Sequence, residues 1–384
     1  MTGKIVFSLT ALSFLFLNIS EASAEKFHYG PWDFEAGVTT TVLYGYNRYG
    51  REYRERDNRD ETYSSVWGTL SAAYNFNSDY KLALYYLPTS DGNRYLKNYR
   101  GNQWTNRGYG ALFTPYGQFQ AGAFYNVAFQ FYVGAPEVGP HSVNDSNITN
   151  FFSNPNWNRN GGKIASYLTL NSAMMNTDNI ANKFSYISPS FYGTAFGFTY
   201  MPSAYSNEGL INGYAPYRND EAYVFALKNE KQLGEFNLRS YLGYGIYSRN
   251  DKEYAAGASV VWRNWTLGGA FHRTNVDGGK YPPNRQINDY LTPAYFDNFR
   301  EGKAWNIGLS YTYGKFSTAV TYFNSKADNT DNEDEFIQFT NRYQVNKHLN
   351  LYATLAHVNF KGLDNRASDS NKGYSYIAGF RVEI

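Results

Sequence analysis

The sequence of 384 residues contains no cysteine. That excludes disulfides, thiolate metal sites and cysteine nucleophiles together. No charge of one sign prevails either, with 35 Lys and Arg against 33 Asp and Glu and a formal net charge of +2. A nucleic-acid partner would favour a clearly basic face, so this balance argues against one. Beyond the N-terminus there is no long uncharged apolar run, and a spanning helix needs roughly 20 apolar residues. Entry into a membrane would then have to be by strands, since only helices and closed barrels satisfy every backbone group in lipid. Leu, Ile and Val are also sparse for a soluble core of this size.

Aromatic residues and glycine take their place. Phe, Trp and Tyr make up 19% of the chain, with 38 Tyr and 34 Gly, yet the mean hydropathy is polar at −0.57. Tyr, Phe and Gly alternating with polar residues suit a wall with lipid on one side and water on the other.

The N-terminus reads as a processing segment. Lys4 is followed by an apolar run over 5–17, and Ala22-Ser23-Ala24 matches an A-x-A cleavage site. The run is too short for a spanning helix. The expectation is a secretory signal peptide over 1–24 and one β-barrel domain over 25–384, exported through the periplasm to a bacterial outer membrane.

From Trp32 onward the apolar period is two. Phe236, Leu238, Leu242, Tyr244 and Ile246 share one phase, while Asn237, Arg239 and Tyr241 share the other. In 305–313 the odd positions are large and apolar or aromatic, and the even ones are small or polar. Such segments are two-faced strands. A soluble β-sandwich also alternates, but it faces aliphatic bulk inward over a shared core, whereas the fuller face here is aromatic.

Short turns alternate with longer polar connections at 47–61, 88–106, 126–180, 202–219, 248–251, 275–302, 326–333 and 361–372. That alternation is the pattern of a barrel with two unlike rims. Sixteen strands are predicted: 32–46, 62–75, 79–87, 107–114, 117–125, 181–188, 193–201, 220–230, 234–247, 252–262, 264–274, 303–313, 315–325, 334–344, 347–360 and 373–384. Sixteen strands enclose an aqueous channel. The predicted fold class is therefore all-β, a transmembrane antiparallel β-barrel with both termini on the short-turn side.

Asn182, Tyr186, Ser188, Pro189, Phe191 and Gly193 fall at the spacing N-x-x-x-Y-x-S-P-x-F-x-G. Upstream, Ala135-Pro136-Glu137-Val138-Gly139 looks like a Pro-Glu-aromatic-Gly turn in the preceding loop. On these residues the chain resembles the general bacterial porin family, and the likeness runs over the whole of 25–384. The resemblance implies a homotrimer of sixteen-stranded barrels whose third long loop folds into the lumen. In that family acidic residues on the loop face basic residues on the wall. Here the loop is 126–180, whose carboxylates are Glu137, Asp145 and Asp178. Two departures stand out. The loop is poor in acid, and the chain ends Phe380-Arg381-Val382-Glu383-Ile384 instead of in a terminal Phe.

The candidate constriction residues on the loop are Glu137 and Asp145. On the wall they are Arg239, Lys81, Lys183 and Arg342, which lie on the polar phase of predicted strands. Charges ringing a narrow passage set ion preference. Each could equally be a solvated loop or rim charge. The mixed-charge run over 51–61 reads as a solvated loop that could also meet lipopolysaccharide.

His141, His272, His348 and His357 are scattered, with no Ser-plus-acid arrangement beside them, so catalysis is not expected. No cofactor or metal is implied. The expected activity is passive diffusion of ions and small hydrophilic solutes. One rival is a substrate-selective channel, marked by inward aromatics such as Trp67, Tyr85 or Tyr241, with Tyr223 assigned to the lipid face. Another is a structural or adhesive barrel.

Overall fold

The computed structural model describes residues 25–50, 59–91, 104–140, 143–144, 147–154, 169–170, 172–175, 181–202, 204, 221–247, 251–275, 301–328, 331–362 and 370–384. The proposed signal peptide over 1–24 and most of the mixed-charge run over 51–61 lie outside them.

The strands are β1 (Glu25–Tyr29), β2 (Trp32–Tyr49), β3 (Asp60–Asn75), β4 (Lys81–Asp91), β5 (Trp104–Thr114), β6 (Gly117–Ala123), β7 (Asn182–Ile187), β8 (Thr194–Met201) and β9 (Ala222–Leu233). They continue as β10 (Phe236–Tyr247), β11 (Lys252–Trp262), β12 (Trp265–Asn275), β13 (Gly302–Tyr313), β14 (Phe316–Ala327), β15 (Glu333–Gln344), β16 (Leu349–Lys361) and β17 (Asn371–Glu383). From β2 to β17 each strand pairs antiparallel with the next, and β17 returns to pair with β2 from Gly373↔Tyr49 to Glu383↔Thr39. The result is the predicted closed barrel of sixteen strands.

The two faces of the wall are inverted relative to a soluble protein. Large apolar side chains are exposed around the outside, among them Leu84 at 60%, Leu242 at 58% and Ile307 at 48%. The opposite phase is small or polar and mostly covered, as with Ala304, Asn306 and Ser310 on β13. An outward apolar band needs lipid to cover it. Aromatic side chains collect at both ends of the strands. Near the short turns Trp265 packs on Tyr311 at 4.6 Å and Phe316 on Tyr343 at 4.7 Å between ring centroids. Near the long connections Tyr200 meets Tyr223 at 5.3 Å and Tyr244 meets Tyr254 at 5.2 Å. Two such girdles mark the two membrane–water interfaces.

Two strand bounds differ from expectation for identifiable reasons. Strand β1 was not predicted, since the first predicted strand begins at Trp32. In the structure Gly30 takes φ +59° and turns β1 back onto β2. Strand β17 stops where Ile384 bonds Val38, so β2 runs on past the end of its partner. Strand β1 pairs with β2 over 32–36 and covers that open edge. The second difference is Pro88, which ends a predicted strand at 87. The strand in fact continues to Asp91. Proline cannot donate to a ladder, and the β3–β4 pairing is interrupted there, with the Pro88 ring packed over Gly68.

The lipid-facing assignment can be tested at Ile307, in the middle of β13. Ile307→Arg should destabilise the barrel by about 2–4 kcal/mol. Reversible unfolding by guanidinium in lipid vesicles measures it, and an unchanged midpoint would remove Ile307 from the lipid face.

Candidate functional site

The connection from β6 to β7 makes many contacts with the small and polar phase of the wall strands. It opens with a single helical turn, α1 (Val127–Gln130), capped by Asn126, whose side-chain oxygen accepts from the Phe129 amide at 2.9 Å. The other end of the Asn126 amide donates to the carbonyl of Met175 at 2.9 Å, tying the start of the connection to its later part.

From α1 the chain crosses successive strands. Val127 and Phe131 pack against Gly197 on β8, and Ala128 against Gly243 on β10. The carbonyls of Val133 and Gly134 then lie against Gly257 on β11 and Gly268 on β12, and Ala135 and Pro136 against Gly308 on β13. At Gly197, Gly243, Gly257 and Gly268 a Cβ would overlap the connection, and at Gly308 it would crowd it. Between them stand Ala226, Ala255, Ala270 and Ala304, all buried. Small side chains let one backbone approach another closely.

Polar groups fix the track. Asn306 on β13 accepts from the Ala135 amide at 3.1 Å and donates to Tyr132 Oη at 3.0 Å and Asn144 Oδ1 at 2.7 Å. On β12, His272 reaches the Ser172 carbonyl through Nδ1 at 2.9 Å and Glu253 Oε1 through Nε2 at 2.8 Å, and both His272 and Glu253 are buried. Tyr247 Oη donates to the other Glu253 oxygen at 2.6 Å. Asp334 on β15 accepts from Thr169 Oγ1 at 2.6 Å and Asn154 Nδ2 at 2.9 Å. Asn371 on β17 donates to the Ser153 carbonyl at 2.6 Å, and Asn47 on β2 to that of Phe151 at 2.7 Å. Phe151 and Phe152 sit in an apolar cluster with Leu43, Tyr49, Phe336 and Phe360. These wall residues belong to the phase opposite the exposed apolar rows.

Glu137 is exposed on this connection, and Asn144 Nδ2 donates to its carboxylate. Asp145 lies outside the described residues. Of the predicted wall residues, Lys183 on β7 is buried with its ammonium donating to the Phe124 carbonyl. Arg239 on β10 pairs with Glu230 at 3.0 Å. Lys81 opens β4 beside a short turn, 3.8 Å from Asp33. Arg342 lies near the short-turn end of β15 and donates to Ser317 Oγ at 2.8 Å. The four fall on separate strands, Lys81, Arg239 and Arg342 toward the short-turn ends and Lys183 beside the long connection, and are not brought together. Tyr223 is outward-facing, as expected, and Tyr241 is inward but covered by Tyr132 at 5.3 Å.

Sequence reasoning missed Arg107. It opens the predicted strand over 107–114. It shares a phase with Tyr109, Ala111 and Phe113 on β5, opposite outward Leu112. Its guanidinium carbon lies 4.4 Å from the Tyr125 ring centroid and 5.7 Å from that of Trp67. The phase was readable. The ring contacts, from β3 and from the root of the connection, were not.

A family model described as Gram-negative porin matches residues 69–363. No curated protein matches the sequence. Among solved structures, OmpF of Salmonella typhi in complex with daunomycin is similar at 12% identity and a TM-score of 0.61, over 94% of this chain and 100% of that one. The anion-selective porin of Comamonas acidovorans is similar at 13% identity and 0.54, over 92% and 100%. A loop-L8 deletion mutant of OmpT, an outer membrane protein of Vibrio cholerae, is similar at 12% and 0.55, over 92% and 99%. At these identities the structures share the fold.

Asn306→Leu should release the tract around Ala135 at a cost of about 1–3 kcal/mol, because it strands the Ala135 amide. The expected outcome is chymotryptic cleavage near Phe131 and Tyr132 in an otherwise folded, heat-modifiable barrel. Resistance equal to that of the parent protein would contradict the anchoring role.

Proposed function

Because the chain belongs to the Gram-negative porin family, we propose that residues 126–180 narrow its channel and that Glu137 faces the passing solute. The protein is an outer-membrane channel for passive diffusion of small solutes. The observation that carries the narrower reading is the course of the connection. It touches inner-phase residues from β8 through β13, then β15, β17 and β2. A segment held to so many strands has little freedom to leave the lumen.

The physical chemistry of passage follows. Water fills what the connection leaves open, and transport needs no energy source. Solutes are sorted by the remaining width and by charges whose screening is reduced in a narrow, low-dielectric passage. An exposed carboxylate such as Glu137 favours cations there. The sparse acid on the connection supports a weak preference. Export with removal of residues 1–24, and assembly as a homotrimer surrounded by outer-membrane lipid and lipopolysaccharide, are part of the same proposal. Lys81, Arg239 and Arg342 serve in it as wall charges toward the short-turn rim, and Lys183 as one beside the long connection.

Planar-bilayer recordings test the reading. The folded protein should give ohmic steps in salt. In a salt gradient Glu137→Gln should move the reversal potential toward anion preference. An unmoved potential would take Glu137 out of the narrow region, and folded protein without conductance would sink the channel itself.

A further inference from the structure

We propose that Arg107, Trp67 and Tyr125 form a binding site inside the channel for small organic anions that carry a planar ring beside a carboxylate. The inference rests on the channel reading above.

The site faces the lumen. Trp67 lies four residues from Tyr63 on β3, so the strand period puts both on one face. The Tyr63 ring meets Phe151 of the long connection at 6.2 Å. Arg107 shares its face with Tyr109, whose ring is stacked on Tyr85 at 4.7 Å and on Phe124 at 4.8 Å. Tyr125 is itself stacked on Phe129 of α1 at 3.9 Å and 11°. The rings beside Arg107 are thus braced by wall and connection.

Two features of this cluster are unexplained by packing. The first is the lone guanidinium. On the same face Arg239 is 3.0 Å from Glu230, and Arg381 is 3.8 Å from Glu383. Arg107 has no carboxylate or other acceptor among the described residues, and its covered Nε is unpartnered. Aromatic faces hold a guanidinium by attraction to the ring quadrupole and leave the edge with its terminal N–H groups available. That edge matches a carboxylate, which two parallel N–H donors can grip.

The second is Trp67, 44% exposed on an inner face that is otherwise polar or covered. The large apolar inner-face residues Leu43, Phe323, Phe336 and Phe360 are all buried in the cluster formed with the long connection. Trp67 instead presents its ring to the lumen beside a positive charge. An aromatic ring stacks favourably on such a surface. A carboxylate on Arg107 with its ring toward Trp67 uses both features at once. Acetate uses only the first, and a neutral ring only the second.

The test uses the full-length protein in planar bilayers at constant ionic strength, with sodium benzoate, sodium acetate, benzyl alcohol and glucose as probes. Benzoate should reduce the salt conductance with a half-effect concentration about tenfold below that of acetate, while benzyl alcohol and glucose leave it unchanged. Trp67→Ala should erase the advantage of benzoate over acetate. Arg107→Gln should weaken both anions. Arg107→Lys keeps the charge without the planar fork, so benzoate should act more weakly while salt conductance persists. Equal effects of benzoate and acetate, or variants that respond like the parent, would overturn the site while a conducting channel stands. A reduction by glucose and not by benzoate would overturn it in favour of a sugar site. Absence of conductance from folded parent protein would instead strike the channel reading.

Discussion

Lipid offers no partner to a backbone N–H or C=O, and a sheet can meet that demand only by having no edge within the membrane. The pairing of β17 with β2 therefore governs the whole structure. Closure requires the first and last strands of the ring to run antiparallel, which an even number of strands provides, and it brings both ends of the ring to the short-turn rim. It also explains two details at the seam. Ile384 exchanges backbone hydrogen bonds with Val38 at 2.7 and 2.8 Å, so the last residue is part of the closure. Strand β1 then takes up the ladder along β2 where β17 has ended.

Once the wall is closed, its outside is committed to lipid, and specific contacts are left to the inside. The connection from β6 to β7 contacts the polar phase of the wall where side chains are smallest. Gly257, Gly268 and Gly308 admit its backbone, and the carbonyls of Val133 and Gly134 lie directly on the first two. Polar residues then fasten it at intervals. Asn306, His272, Asp334 and Asn371 each come from a different strand, so loosening one anchor leaves the others in place. The inner polar phase thus serves the connection as much as it serves water.

The barrel was legible because strand alternation and turn chemistry are local. Gly117–Ala123 could be read directly, since Pro115 and Gly117 mark its turn and the phase is unbroken. Pro88 misled for the same local reason: it looks like a break, and only the neighbouring strands show that pairing resumes. Facing was legible too, as Arg239, Lys81 and outward Tyr223 show. The interior was not. The Asp334–Thr169 bond spans 165 positions and the Asn306–Ala135 bond spans 171. No periodicity encodes such pairs. Whether Arg107 or Arg239 keeps an uncompensated charge depends on what the adjacent strand places opposite it.

That last point bears on how a pore of this kind discriminates. A wall charge acts on a passing ion in proportion to what its neighbours leave uncancelled. Glu230 offsets Arg239, Asp33 stands beside Lys81, and Glu383 beside Arg381. His272 holds Glu253, and both are buried beneath the connection. Asp334 is taken up by Thr169 and Asn154. A count of inner-face charges therefore overstates the field. Rings steady Arg107 without neutralising it. At Arg107, discrimination among anions falls to the surface that adjoins the charge, and that surface includes the indole of Trp67.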